Sequence, residues 1–308
     1  MKKNMLLLNT VRGVKKSPGR FVAILTIIAI GCAFYAGLSA VSTDLKNSGW
    51  KYYREYALAD VQIKSTLGFN GDEIEKLSDG EHFDSGYAGY SADLFVENNG
   101  GQSAVTVLSY SADQPLNKLY LMEGRLPEKA GECVADYDSM HKISFKIGDT
   151  VKLSADGDND VADYLNQSEY TVVGLVKSPV YVSYERGSTT IGTGSVSAFI
   201  YVPEENFAYD AYTDLYLSVT GAMDESVKPF SDEYNDIVAA AEEYAEGMSA
   251  QLLSERSDEI RADADEQIAD AKEKLADGQK KYDDAKKDYD KGLNEYNKSY
   301  SQINEQKK

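Results

Sequence analysis

The sequence predicts an α+β protein that is held in a membrane by one N-terminal helix. Three observations support this class: an uncharged run over residues 21–41, strand-like alternation between residues 59 and 220, and a seven-residue repeat near the C-terminus. Strands followed by helices, with little regular alternation of the two, are typical of α+β proteins. We predict four segments: a cytoplasmic basic segment (1–20), a transmembrane helix (21–41), an extracytoplasmic core domain (42–245) and a coiled-coil arm (246–308).

The apolar run near the N-terminus is long enough to cross a bilayer. Phe21 to Val41 is a stretch of twenty-one residues without a charge. A helix of that length rises about 30 Å, the thickness of the hydrocarbon core. A cleaved signal peptide has a shorter apolar region, although residues 37–40 resemble a cleavage site. A lipid anchor at Cys32 is disfavoured because mostly apolar residues follow it, so we expect a retained transmembrane helix.

Basic residues before the run predict its orientation. Residues 1–20 carry six positive charges and no negative charge, which leaves −25 for the remainder of the net −19. Such basic flanks stay in the cytoplasm, so the chain from residue 42 onward should lie outside the cell membrane. The flank suits the anionic inner leaflet of the bilayer, and the acidic exterior argues against a nucleic-acid partner. The inner flank includes Arg12, Lys15, Lys16 and Arg20.

Residues 5–14 predict a short amphipathic helix on the inner membrane surface. Leu7, Leu8 and Val11 share one helical face, and the basic residues lie elsewhere. The alternative is that these residues serve only as a basic topology signal. The sequence Ser-Pro-Gly at residues 17–19 then breaks the helix and turns the chain into the bilayer.

The exterior domain contains several stretches that alternate as half-buried strands do. Residues 60–65 predict the first strand, and Asn70 caps a short helix that includes Leu77. Residues 83–96 alternate again, and a hairpin turn at residues 98–101 leads into the next strand. Further strands are predicted at residues 104–110, 132–135, 145–153, 170–176, 195–202 and 214–220, with helix from residue 226 onward. The strand at residues 145–153 is predicted to contain a tight turn at residues 148–149.

The sequence predicts no catalytic centre, no cofactor and no metal. It has no phosphate-binding Gly-x-x-x-x-Gly-Lys-Ser/Thr motif and no nucleophile elbow. His82 and His141 lack metal-ligand spacing, and Cys133 falls in a predicted strand. The acidic run at residues 156–160 lacks the glycine and glutamate that a calcium-binding loop requires, so it predicts a solvated hairpin tip.

A heptad repeat dominates the C-terminal arm. Large residues recur every seven positions, and small residues follow three positions after each of them. The glycines make an isolated helix marginal, so a partner helix is expected, from the same chain or from another subunit. The alternative is a disordered, charged tail. The predicted seam comprises Leu275, Gly278, Tyr282, Ala285, Tyr289, Gly292 and Tyr296.

Three blocks of sequence together resemble the FtsX/MacB-like permeases of ABC transporters. The first block is the basic entry Arg12–Arg20 into the apolar run, and the second is Ala59–Gly68. The third consists of several short pieces in a fixed order: Glu123–Pro127, Gly131–Glu132, Ile147–Val151 and Tyr170–Gly174. The order and spacing are similar to those of a MacB-like extracytoplasmic core domain, over roughly residues 1–245.

The resemblance implies a function that the residues alone do not show. Such permeases pair with a cytoplasmic ABC ATPase subunit, usually form dimers, and transmit ATP-driven motion to the outer domain. The implied protein is the N-terminal part of a permease subunit for export or mechanical signalling. The family's permease half has four spans and this sequence has one, so a fragment or a truncation is expected. Alternatives are a single-span surface protein that binds a partner through its coiled coil, or an FtsX-like activator of a cell-wall hydrolase.

Overall fold

The computed structural model describes residues 2–78, 80–98, 101–138, 143–224, 226–228 and 230–306. The chain divides into two units, residues 1–245 and 246–308. Its helices are α1 (Lys2–Lys16), α2 (Pro18–Glu55), α3 (Gly71–Leu77) and α4 (Asp232–Gln306). Its strands are β1 (Val61–Phe69), β2 (Phe83–Gly89), β3 (Ser91–Asn98), β4 (Gly101–Tyr110), β5 (Tyr120–Gly124), β6 (Glu132–Asp136), β7 (Thr150–Ser154), β8 (Glu169–Lys177), β9 (Ala198–Pro203) and β10 (Tyr212–Val219). The predicted α+β class is confirmed.

The two N-terminal helices meet at the predicted break. Ser17 separates α1 from α2, and Pro18 occupies the first turn of α2, where its missing N–H costs nothing. Among the described residues, α2 alone is long and apolar enough to cross a membrane, judged by length and composition. The helix does not end with the apolar run at Val41, as the sequence prediction had it, but continues to Glu55. Its last turns carry the aromatic residues that contact the domain.

Six strands form a closed ring in the first unit. β7 pairs with both β3 and β8, which closes the order β8-β6-β9-β4-β3-β7. β5 pairs with the C-terminal half of β8. Alternate residues of each strand point into the ring and fill it with apolar side chains. The enclosed core includes Leu94, Val96, Val105, Val107, Cys133, Ala135, Val151, Leu153, Tyr170, Val172, Ala198, Ile200 and Val202.

A separate three-stranded antiparallel sheet has the order β1-β10-β2. Its buried face includes Phe83, Leu215 and Leu217. The predicted cap of α3 is confirmed, because the Asn70 side chain accepts a hydrogen bond from the Glu73 N–H at 2.9 Å and the Glu73 carboxylate accepts one from the Asn70 N–H.

The predicted strand over residues 83–96 is two strands in two different sheets. β2 ends at Gly89 and pairs with β10, and β3 begins at Ser91 and pairs with β4. The buried carboxylate of Asp214 holds this crossing, because it accepts hydrogen bonds from the hydroxyls of Ser91 at 2.5 Å and Thr213 at 2.7 Å. The apolar–polar alternation is the same in β2 and in β3, so it could not indicate that the chain passes from one sheet to the other.

Three further predictions differ from the structure or lie outside the part described. The predicted strand at residues 145–153 is shorter, because only residues 150–154 pair as β7, and the turn predicted at Gly148 and Asp149 precedes them. β5 was not among the strands predicted from sequence. The hairpin turn includes residues 99 and 100, outside the described residues, although Asn98 pairs with Gly101 in register. His141 also lies outside the described residues.

Two glycines of the third sequence block face each other across β5 and β8. Gly124 pairs with Gly174 and has a φ of +79°, a backbone conformation that other residues rarely adopt. A side chain on Gly124 would collide with the carbonyl oxygen of Val173, and one on Gly174 would collide with that of Arg125. The close approach of the two backbones explains why both positions are glycine.

An ion pair fixes the same corner of the domain. The Arg125 guanidinium donates two hydrogen bonds to the Glu132 carboxylate, at 2.6 and 2.8 Å, and the Glu128 N–H donates a third at 3.0 Å. These bonds stabilise the ionised form and lower the pKa of Glu132 to about 2. The first two pieces of the third block, Glu123–Pro127 and Gly131–Glu132, are therefore held together by these bonds.

The low pKa of Glu132 predicts a pH-dependent stability. The pKa is lower in the folded chain, so the contribution is present above about pH 4.5 and is lost as the pH falls towards 2. We expect the urea midpoint of the full chain to exceed that of Glu132→Gln at about pH 6, and the difference to vanish at about pH 2. Glu128→Gln is the control and should show no such trend. A gap between wild type and Glu132→Gln that is constant with pH would contradict the assignment.

The second unit, residues 246–308, consists of the continuation of α4 over its described residues. The side chains of residues 258–304 are exposed. Acidic and basic residues alternate over most of this surface, interrupted by the seven-residue repeat of leucine and tyrosine.

Candidate functional site

The candidate site is the place where α2 joins the domain, called the junction below. The last turns of α2 have the sequence Trp-Lys-Tyr-Tyr-Arg-Glu-Tyr over residues 50–56. Residues three and four apart share a helix face, so Trp50 lies beside Tyr53, and Tyr52 lies beside Tyr56. The helix therefore presents two neighbouring aromatic faces at its end.

The first face contacts the start of α4. Trp50 is 7% exposed and meets the rings of Phe230 and Tyr234 edge to face, with centroids 5.8 and 5.1 Å apart. Tyr53 adds a third edge-to-face contact with Phe230 at 6.1 Å. Edge-to-face pairs add about 0.5–1.5 kcal/mol each to the burial of their surfaces, so this cluster holds α2 firmly.

The second face contacts β5 of the larger sheet. The Tyr56 ring lies 5.3 Å from that of Tyr120 and 4.9 Å from that of Tyr52, measured between centroids. The end of α2 is thus bound both to the beginning of α4 and to the sheet that contains the closed ring.

The C-terminus of α2 is closed by backbone hydrogen bonds. The Leu58 N–H donates to the Tyr53 carbonyl at 2.9 Å and the Ala57 N–H to the Arg54 carbonyl at 3.3 Å, the pattern of a Schellman motif. Ala57 has a φ of +47°, which glycine usually supplies in this motif. A non-glycine residue in this conformation requires support from its surroundings.

That support comes from the loop before β5. The N–H groups of Asn117 and Lys118 donate to the carbonyls of Ala57 and Tyr56, at 2.7 and 2.8 Å. The Asn117 side-chain oxygen accepts from the Ala59 N–H at 3.0 Å. Asn117 is itself buried. Hydrogen bonds from the loop before β5 therefore hold the connection between α2 and β1 in place.

A half-buried carboxylate, one residue before β1, links this part of the chain to β10 and α4. Asp60 accepts hydrogen bonds from the Tyr234 hydroxyl at 2.9 Å and from the Val219 N–H at 2.8 Å. Burial raises the pKa of Asp60, and these two hydrogen bonds oppose the rise. Burial also raises the pKa of Tyr234, and the neighbouring Asp60 adds to the effect, so the tyrosine hydroxyl remains the donor.

A cleft of about 360 Å³ lies beside the junction, between Tyr52, Tyr120 and the segment after β8. Arg186 lines this cleft, and its guanidinium donates hydrogen bonds to both carboxylate oxygens of Asp136, at 2.6 and 3.0 Å. Arg186 also donates to the backbone carbonyls of Tyr181 and Ser183. The pair therefore fastens the segment after β8 to the end of β6.

The site residues predicted from sequence do not belong to the junction. Phe21 and Val41 are exposed on α2. The basic flank residues Arg12, Lys15 and Lys16 belong to α1, and Arg20 belongs to the first turn of α2. The seam residues of the arm lie along α4, with exposed side chains: Leu275, Gly278, Tyr282, Ala285, Tyr289, Gly292 and Tyr296. These assignments remain predictions.

Sequence reasoning missed the junction residues. A signal was present, because Trp50 is the single tryptophan and three tyrosines follow it within six residues. Its contact partners Phe230 and Tyr234 are distant in sequence, so no local pattern could identify them. Asp60 was read only as part of a half-buried strand.

Comparisons with known proteins find solved structures similar to this chain, among them domains of YknZ and MacB. Neither a protein-family model nor a curated protein sequence matches the chain. The chain is similar to the extracellular domain of the noncanonic ABC-type transporter YknZ from Gram-positive bacteria, with 12% identity and a TM-score of 0.32 over 51% of this chain and 76% of that one. It is also similar to the periplasmic region of MacB from Actinobacillus actinomycetemcomitans, with 12% identity and a TM-score of 0.32 over 59% of this chain and 76% of that one.

Proposed function

We propose that this chain is the N-terminal part of an ABC transporter permease subunit, and that it couples a cytoplasmic ATPase to the extracytoplasmic domain. In this proposal α2 crosses the membrane, α1 lies at the cytoplasmic face, and the subunit works as a permease dimer in export or mechanical signalling. The proposal assigns no catalytic step to this chain. The family resemblance of the sequence blocks supplies the class of protein, and the junction supplies the physical argument.

The observation that carries the proposal is the rigid connection between α2 and the domain. α2 continues as one helix from the apolar run to the junction. After it, every backbone N–H from residue 56 to residue 60 donates a hydrogen bond: residues 56–58 donate to the last turns of α2, Ala59 to Asn117 and Asp60 to Leu217. A flexible linker would absorb a movement of the helix, because its residues could change conformation freely. A fully hydrogen-bonded connection passes the movement on to the domain.

Association with the ATPase tests the proposal. The full chain, tagged and purified from its own cell membranes, should bring an ABC ATPase subunit with it. Replacing Arg12, Lys15 and Lys16 with alanine should reduce the recovered ATPase about tenfold, because three exposed ionic contacts of about 0.5 kcal/mol each amount to about 1.5 kcal/mol.

The matched control replaces Lys46, Lys51 and Arg54, three exposed cations on the other side of the apolar run. That variant should retain the ATPase. The remaining basic residues of the N-terminal segment preserve the topology signal, and protease added to intact cells should degrade residues 42–308 in all three proteins. Absence of any ABC ATPase from the wild-type preparation would overturn the coupling function.

A further inference from the structure

The arm carries a stripe of large apolar side chains that the chain itself leaves uncovered. Leu275 is 73% exposed, Tyr282 61%, Tyr289 69% and Tyr296 65%. They recur every seven residues and therefore lie along one side of α4. Exposed apolar surface of this length and regularity marks an interaction site.

The alternation of large and small residues along the stripe determines whether a helix that packs against it runs parallel or antiparallel to α4. Each large residue is followed three positions later by a small one, such as Gly278 after Leu275. A second copy in parallel would place tyrosine opposite tyrosine in one layer and glycine opposite glycine in the next. A second copy in the antiparallel direction places a large residue opposite a small one in every layer.

An antiparallel register centred on the middle of the stripe pairs large with small residues along its whole length. It puts Tyr282 opposite Ala285 of the second copy, and the same offset continues to both ends. The remaining layers pair Leu275 with Gly292, Tyr289 with Gly278, Tyr296 with Ala271, Ile268 with Ser299, and Ile303 with Ala264. Each layer thus combines one large and one small side chain, which lets the two helices approach closely along the stripe.

The charges that flank the stripe agree with the same register. It brings Lys281 opposite Asp288 of the second copy and Lys274 opposite Glu295, and twofold symmetry makes each contact twice. In a parallel pair, Lys281 would instead face Lys286 of the second copy. All these side chains are exposed and lie on the described part of α4. Side-chain volume therefore favours the antiparallel direction, and the flanking charges favour this register.

We infer that the arm binds a second copy of this chain as an antiparallel two-helix pair centred between Asp283 and Asp284. The paired region extends over residues 264–303 and is related by a twofold axis perpendicular to the helices. This inference rests on the arm alone and does not depend on the coupling to an ATPase.

Disulfide cross-linking of the full chain in membranes tests the pairing and its direction. Two differently tagged copies are produced together, one with Leu275→Cys and the other with Gly292→Cys, both with Cys32→Ser. Burial raises the pKa of the Cys133 thiol to about 12, so this cysteine can remain. Mild oxidation should form a disulfide between the two differently tagged copies at least about tenfold more than between two copies of Leu275→Cys. The reason is distance, because residues 275 of the two copies would be about 25 Å apart.

The matched control uses Lys280→Cys with Lys287→Cys. These positions lie at the same level of the pair but on its outer side, so they should not cross-link. A charge exchange adds a second readout: Lys274→Glu with Lys281→Asp in one copy, and Asp288→Lys with Glu295→Lys in the other. Each variant alone should lose pairing with itself, and the mixture should recover it.

Two outcomes would overturn the inference. Cross-linking of Leu275→Cys to itself would show a parallel pair. No cross-link from either cysteine combination, in chains that fold as the wild type does, would show that the stripe is covered by another segment or another protein. Neither outcome involves the ATPase, so failure here and failure of the coupling proposal are separate results.

Discussion

Replacing Trp50 with alanine should lower the free energy of unfolding by about 3–5 kcal/mol, the usual cost of removing a large buried aromatic side chain. The side chain is 7% exposed and forms the centre of the aromatic contacts with Phe230 and Tyr234. Urea unfolding of the full chain in detergent, followed by circular dichroism, measures the loss.

The matched control for this variant is Leu45→Ala in the same helix. Leu45 is 72% exposed and lies beyond the uncharged run, so its removal should change the free energy of unfolding by less than about 0.5 kcal/mol. Equal effects of the two substitutions would mean that the cluster does not hold α2 to the domain. The control also separates loss of packing from any change in helix propensity, because both variants introduce alanine.

The parts of the fold that sequence predicted are those with local causes. The break at Ser17, the cap of α3 at Asn70 and the apolar run of α2 each depend on residues within a few positions of one another. The seven-residue repeat of the arm is equally local. Such features are decided by backbone sterics, caps and periodicity, which a single sequence displays directly.

The closed ring and the change of sheet at Tyr90 have non-local causes. β7 closes the ring by pairing with β3 and β8. The apolar–polar alternation of β7 itself does not indicate either pairing. The junction was missed for the same reason, since aromatic residues after an apolar run are equally expected at a membrane interface. Only the fold shows that they contact Tyr120 and Tyr234.

Replacing Asp136 with asparagine should destabilise the domain by about 3–5 kcal/mol, because the Arg186 charge would then be buried without a counter-ion. The Asp136 and Arg186 side chains are only 1% and 5% exposed. Burial raises the pKa of Asp136, and the two hydrogen bonds from the guanidinium oppose the rise and favour the carboxylate. Urea unfolding of the full chain again measures the change.

Asp138→Asn is the matched control, since Asp138 pairs with Lys177 at 3.0 Å where both side chains are more than a third exposed. Exposed pairs contribute at most about 1 kcal/mol, so this variant should remain close to the wild type. Adding Arg186→Met to Asp136→Asn should recover much of the lost stability, because it removes the unpaired charge and retains a long apolar chain over Phe199. Asp136→Asn with no greater effect than Asp138→Asn would mean that the segment after β8 is held by its apolar contacts alone.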